Sequence, residues 1–530
     1  MKKLFIFVAV LAAVLILSFT LVNLRGFPPY FFCDEAIHAI EARNILRSGL
    51  DSRGRSWPIF FEGLGQYQLS LSVYLQIPFT AVFGVDEFAV RVRNLCLSVF
   101  ALLWSIGISN RLFTSRANWS IFFISISSSF WFLHIRTGFE SPVAVIFLLG
   151  AIYYYLKYLD DYSKQSILIS IFFLSLSFYS YLPARMWVGI VFLIGFFSNL
   201  KIHWKYKNTS ILASIFLFIF LSPYLYFQIY NPKAPFFSLE PILRITITGK
   251  YYLTLFYKFL VHYSNGIDAR FWFFWEHTSN DGPQLRHVIP EMPLIPTGFV
   301  VFWITGLITL IWRFSKDNKS RFIVLTLILL PLSCAPFGVT NLRLLPIGCL
   351  YLIIIMIGIS VIYERVKDRL LLKSTLLVSV VFIILRSLVG LSEAVQYPER
   401  LKYKDYGFYG LQSGARDVFQ EINNFLISNP DAIAILDYAS FNGNQEMATF
   451  YIDTSRRQRV VVSDFNLECK GSRFVPERSL WIGPADRYKK LVDLSCKVKF
   501  TDPHPINATV KMAPFYKAMI IHNNPVIAVE

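Results

Sequence analysis

Charge is scarce in this 530-residue sequence: 16% of its residues are Asp, Glu, Lys or Arg, against 55% apolar. A soluble globular chain carries about a quarter charged residues, so a soluble cytosolic enzyme is excluded. Cysteine is scarce too, and the six present form no C-x-x-C pair. No H-E-x-x-H helix occurs, so neither common zinc spacing is present. Asp-x-Asp, Gly-x-Gly-x-x-Gly and P-loop patterns are also missing, which argues against nucleotide or nucleotide-sugar use. No internal repeat and no low-complexity linker interrupts the chain.

What the sequence has is apolar runs long enough to cross ~30 Å of hydrocarbon. They fall near 4–24, 88–110, 118–135, 140–157, 166–180, 183–199, 209–230, 294–312, 322–335, 344–362 and 370–392. The expectation is a polytopic α-helical membrane protein of about eleven transmembrane helices. The run at 4–22 exceeds a signal-peptide core and lacks a small-x-small cleavage site downstream, so it reads as a retained span. Many of the 51 Phe, 28 Tyr and 11 Trp lie near the ends of the runs, at headgroup depth.

Lys and Arg outnumber acids 51 to 34, giving a net charge of +17. Nucleic-acid binding would need a basic surface free of spans. Here the excess gathers in short loops at 111–117, 157–165, 201–207, 313–321 and 364–373, whereas the alternate short loops hold the single arginines Arg136, Arg185 and Arg343. By the positive-inside rule the N-terminus is cytoplasmic, and an odd number of spans puts the polar tail outside. The expected division is a membrane domain over 1–392, with extracytoplasmic loops 25–87 and 231–293, and a small extracytoplasmic α/β domain over 393–530. In the tail, 415–426 has helical periodicity, while 432–436, 460–463 and 516–522 read as strands. Cys469 and Cys496 also lie there, as a disulfide or as two buried thiols.

The first long loop opens with Phe31-Phe32-Cys33-Asp34-Glu35-Ala36, two adjacent carboxylates just beyond span one, and continues as an amphipathic helix through Leu46. Charge beside hydrocarbon is costly and commonly functional. The structural alternative is that both acids open a helix, where the dipole favours them. Neighbours on a helix point about 100° apart, so one carboxylate acts chemically and the other orients its surroundings.

Asp34-Glu35-Ala36, Glu41-Ala42-Arg43, Ser48-Gly49, Pro58 and Gly84-Val85-Asp86-Glu87-Phe88-Ala89-Val90-Arg91 together resemble the opening of the C-type (GT-C) membrane glycosyltransferases. The resemblance is to the protein O-mannosyltransferase and aminoarabinose transferase group. It continues through Arg136-Thr137-Gly138-Phe139-Glu140, Tyr179-Ser180-Tyr181-Leu182-Pro183-Ala184-Arg185, Arg286-His287 before the proline-rich 290–296, and Asn341-Leu342-Arg343-Leu344-Leu345-Pro346. It spans residues 28–350, and the tail matches only as a polar addition.

The resemblance implies transfer of one sugar, with inversion, from a polyprenyl-phosphate donor to an extracytoplasmic acceptor: protein, lipid or glycan. Asp34 matches the family's base and is the general-base candidate, with Glu35 supporting it. Arg136, Arg185, Arg286, His287 and Arg343 are candidates for the donor phosphate, since a guanidinium keeps its charge at the membrane surface. Taken singly, each such arginine also fits a snorkelling anchor. Glu140 either lines the site or pairs with Arg136 four residues earlier. Asp34, Glu35, His38, His262, His277 and His287 offer metal donors without a diagnostic spacing, so a divalent metal stays open. The implied partners are the lipid-linked donor, the acceptor and membrane lipids of the plasma membrane. The competing reading is a transporter or flippase, which would place ionisable residues within the spans.

Overall fold

The computed structural model describes residues 18–63, 66–231, 252–274, 287–289, 292–336, 338, 340–397, 414–438, 440–464, 479–484, 498–500, 504–505 and 515–523. In chain order the main elements are α1 (Cys33–Ser48), the hairpin β1 (Phe60–Gly63) and β2 (Gln66–Leu69), α2 (Ser70–Phe83), α3 (Glu87–Leu112), α4 (Ile121–Ser127), α5 (Ser129–Ile135), α6 (Glu140–Asp161), α7 (Lys164–Ser180), α8 (Ala184–Ser198), α9 (Lys207–Tyr230), α10 (Tyr252–Ile267), α11 (Val300–Arg313), α12 (Asn318–Leu329), α13 (Asn341–Val366) and α14 (Leu370–Gln396). The tail adds α15 (Ala415–Ser428), β3 (Ile433–Asp437), α16 (Asn444–Tyr451), β4 (Val460–Ser463), β5 (Ser479–Pro484), β6 (Val498–Phe500), β7 (His504–Pro505) and β8 (Phe515–Asn523).

The chain forms two units. The first comprises Met1–Leu24, Gly49–Leu75 and Arg91–Gln396; the second comprises Arg25–Ser48, Gln76–Val90 and Tyr397–Glu530. Among the described residues, five helices are long and apolar enough to cross a membrane: α3, α6, α9, α13 and α14. Shorter apolar helices at Leu71–Phe83, Lys164–Ser180, Ala184–Ser198 and Thr297–Arg313 accompany them. The expected first span lies largely outside the described residues.

Two expected spans are interrupted. Over 118–135 the chain breaks at Ser128, whose backbone is extended at ψ 116° between α4 and α5. The Ser127 and Ser128 hydroxyls both donate to the carbonyl of Ile124, at 2.9 and 2.8 Å, drawing it away from the helical ladder. Near 322–335, α12 gives way to a 3-10 turn at Leu330–Ser333 because Pro331 has no amide hydrogen.

Helix α13 is buried along most of its length, matching its apolar circumference. It crosses α11 at Gly306 and Gly358. A Cβ on Gly306 would fall on the carbonyl of Ile354, and one on Gly358 would fall on that of Phe302. Hydrogen at both positions lets the two backbones touch.

In the second unit, β3 pairs in parallel with β4 and β5, and β8 runs antiparallel to β5, β6 and β7. Ala434 and Leu436 of β3, Val418, Phe419 and Ile422 of α15, and Met447 of α16 share one core with Cys33, Ala36 and Ala39 of α1. That core explains a departure from expectation. Helix α1 is not a surface amphipath, since Glu35, His38 and Glu41 are buried along with most of its apolar residues.

Candidate functional site

Asp34 and Glu35 sit in the first turn of α1, in the second unit. Their surroundings differ. Glu35 is fully buried and its Oε2 accepts the Phe32 amide at 3.0 Å, satisfying a backbone donor that precedes the helix. Asp34 is half-buried. Burial, then the charge of Asp34 and then that of Glu446, push the adjacent Cys33 thiol far above its ordinary range.

Arg136, Glu140, Arg185, His287 and Arg343 belong to the first unit. Arg136 is fully buried, and its guanidinium donates to the carbonyls of Thr20, Val22 (2.7 Å) and Asn23 (3.1 Å). It thereby closes the end of the helical residues 18–21, where carbonyls lack amide partners. Arg185 is enclosed by aromatic faces, lying 4.4 Å from the Tyr224 ring centroid, 5.2 Å from Phe178 and 5.9 Å from Phe60. Its Nη1 also donates to the Tyr224 hydroxyl at 3.2 Å. Arg343 is half-buried at the start of α13, with Nη1 on the Gly338 carbonyl at 3.1 Å. The Thr340 hydroxyl caps that helix by accepting the Arg343 amide at 3.3 Å.

Glu140 opens α6. The loop before it is clamped by side chains that composition alone did not single out. Arg93 donates to the carbonyls of Gly138 (2.6 Å) and Ser72 (2.9 Å), while the Asn94 amide donates to those of Thr137 (2.7 Å) and Phe139 (2.8 Å). Three successive carbonyls are thus satisfied by two buried residues of α3. Phe139 in turn packs edge-on against the His287 ring, with centroids 5.0 Å apart. Glu140 and His287 therefore meet one loop, and His287 holds a left-handed backbone at φ 59°, uncommon for residues other than glycine. The signal for Arg93 and Asn94 was present as polar residues inside an apolar run, which are costly unless they bond.

Arg286 and His277 lie outside the described residues, as do Cys469 and Cys496. Cys33, Cys96, Cys334 and Cys349 are free thiols. Among the described residues, no group of three or more His, Cys, Asp or Glu is placed to hold a metal ion.

No family model matches the chain. No curated protein matches it in sequence. Solved structures do match. The crystal structure of ArnT from Cupriavidus metallidurans bound to undecaprenyl phosphate aligns over 98% of this chain and 98% of its own, at 13% identity and TM-score 0.61. Its apo form aligns over the same shares at 12% identity and TM-score 0.60. The oligosaccharyltransferase AglB of the archaeon Archaeoglobus fulgidus, in complex with an inhibitory peptide and a dolichol-phosphate, aligns over 91% of this chain and 70% of its own, at 11% identity and TM-score 0.54. The chain is a helical membrane protein with the fold of the GT-C membrane glycosyltransferases.

Proposed function

We propose that this protein is a glycosyltransferase that moves a single sugar from a polyprenyl-phosphate carrier to an extracytoplasmic acceptor, with inversion at the anomeric carbon. The observation that carries this reading is the alignment over nearly the whole of both chains with ArnT bound to undecaprenyl phosphate. A lipid carrier arrives laterally in the bilayer, which suits a chain built mostly of apolar helices.

In this reading Asp34 is the general base, taking the proton of an acceptor hydroxyl as its oxygen attacks the anomeric carbon. The anomeric bond to phosphate breaks in the same displacement, and polyprenyl phosphate leaves. Its developing charge calls for a fixed cation, and Arg343 is the first choice, with Arg286 and His287 beside it in the proposal. Arg136 and Arg185 are given positioning roles, because the one holds carbonyls and the other sits among aromatic rings. Glu35 supports the turn that carries Asp34. A cytoplasmic N-terminus and an extracytoplasmic tail complete the proposal and rest on the loop charges.

Mass spectrometry of surface glycans and lipids from cells with and without the gene tests it. The expected result is the loss of one sugar from one class of acceptor. Identical glycans and lipids in both strains would contradict the proposal.

A further inference from the structure

The second unit contains a cleft of 460 Å³ formed by α15, α16, the turn at Arg25 and the turn leading into α3. That lies within the ~300–1,000 Å³ range of small-molecule sites. Its charges are already matched. Arg25 Nε donates to Asp86 Oδ1 at 3.0 Å, and Arg416 Nε donates to Glu87 Oε1 at 3.1 Å, with the Tyr451 hydroxyl on the same Glu87 oxygen. Two cations and two carboxylates leave no net field to select a phosphate or a cation.

The remaining polar groups of the cleft are uncharged. Gln420 and Asn423 stand three residues apart on one face of α15, and both line it. Arg456 Nε donates to Asn423 Oδ1 at 2.9 Å, which fixes the end of that amide that acts as donor. Amides both donate and accept, as sugar hydroxyls do. Tyr451 adjoins them, partly exposed and held in place by stacking on the buried Phe419 at 5.4 Å and 12°. The partly exposed Tyr451 ring beside carboxylate, guanidinium and amide groups complements a pyranose, which has apolar C–H faces and a polar rim. An extended peptide would call for a strand edge, and the described walls of this cleft are helices and turns.

We propose that the cleft binds a neutral sugar unit of the acceptor, so that the acceptor is a glycan or glycolipid. Only the word acceptor rests on the glycosyltransferase reading; the sugar chemistry rests on the cleft. The test uses the full-length protein in lipid nanodiscs and saturation-transfer NMR. The probes are methyl glycosides and disaccharides of neutral hexoses, with trialanine and inorganic phosphate as counter-probes. Saturation transfer to at least one hexoside is expected. The dissociation constant should rise about tenfold or more in Gln420→Ala/Asn423→Ala, and to a smaller degree in Gln420→Ala alone, at unchanged melting temperature.

Absence of transfer to every hexoside, equal affinity in the double variant, or binding of trialanine or phosphate instead would overturn the proposal. Displacement of the hexoside by a short-chain polyprenyl-phosphate sugar would overturn it too, by assigning the cleft to the donor. Because the readout is equilibrium binding, a negative result leaves the donor chemistry standing. Hexoside binding in a protein that transfers no sugar would fault that chemistry alone.

Discussion

The two carboxylates at the start of α1 differ in burial, and so in what their replacement should do. Glu35 accepts a backbone amide from within a buried setting. Glu35→Gln keeps an acceptor oxygen and should cost little, whereas Glu35→Ala should lower stability by about 1 kcal/mol, read as a fall in melting temperature. Asp34→Asn should fold as the parent does and lose at least ~100-fold in transfer rate, the low end of what a positioned base supplies. Arg343→Ala should raise KM for the lipid donor and also lower kcat, since leaving-group charge grows toward the transition state; Lys should restore only part. Unchanged kinetics in Arg343→Ala would reassign that residue to anchoring. Cys33 adds a pH test. Its thiol is raised by burial and by Asp34, so it stays protonated above the 9.0 of a free thiol. Iodoacetamide at pH 8.5 should spare it in the folded protein and label it on denaturation. By linkage, the stability held in the protonated thiol is complete below the unfolded value and lost as pH rises past it, as the unfolded thiol ionises. At this scale the sequence pointed to the acidic pair and, through the resemblance, put Asp34 ahead of Glu35; it did not carry the bond from the Phe32 amide to Glu35, which depends on the folded turn. The Arg93 and Asn94 clamp was legible only as polar residues inside an apolar run.

The elements follow their sequence signals where one periodicity dominates. The tail helix expected over 415–426 runs Ala415–Ser428, and the strands expected at 432–436 and 460–463 run Ile433–Asp437 and Val460–Ser463. Hydropathy failed at Ser127 and Ser128, because it scores side chains by residue type and takes no account of hydroxyls that compete for a backbone carbonyl. It also marked 25–87 as a polar loop, and although the helix expected there forms as α1, that helix is buried by residues more than 370 positions later in the chain, such as Val418 and Met447. The crossing of α11 and α13 gives the sharpest test at this scale. Gly358→Ala forces a methyl into the Phe302 carbonyl, and separating the helices should cost about 1–3 kcal/mol. Gly189→Ala, which meets nothing within 4 Å, should leave stability unchanged or slightly raised. Detergent melting curves of the two variants make the comparison, and equal curves would contradict the close crossing.

For the whole molecule, the basic short loops give a topology that neither fold nor helix length supplies. A cysteine at Asn424 on α15 should react with an impermeant thiol reagent in intact cells, and one at Ser315 should react only after permeabilisation. The reverse pattern would invert the proposed orientation. The membrane class and the GT-C-like fold were legible because both leave local traces, in hydropathy and in short strings along the chain. The division into two units was not, since the second unit gathers Arg25–Ser48 and Gln76–Val90 with the distant tail. The most direct measurement is transfer by the purified protein in proteoliposomes, supplied with a synthetic polyprenyl-phosphate sugar of known anomer and an acceptor extract, with the product's anomeric configuration read by NMR. The parent protein should give a product of inverted configuration, and Asp34→Asn at least ~100-fold less of it. A retained anomer, or full activity in Asp34→Asn, would contradict the proposed mechanism.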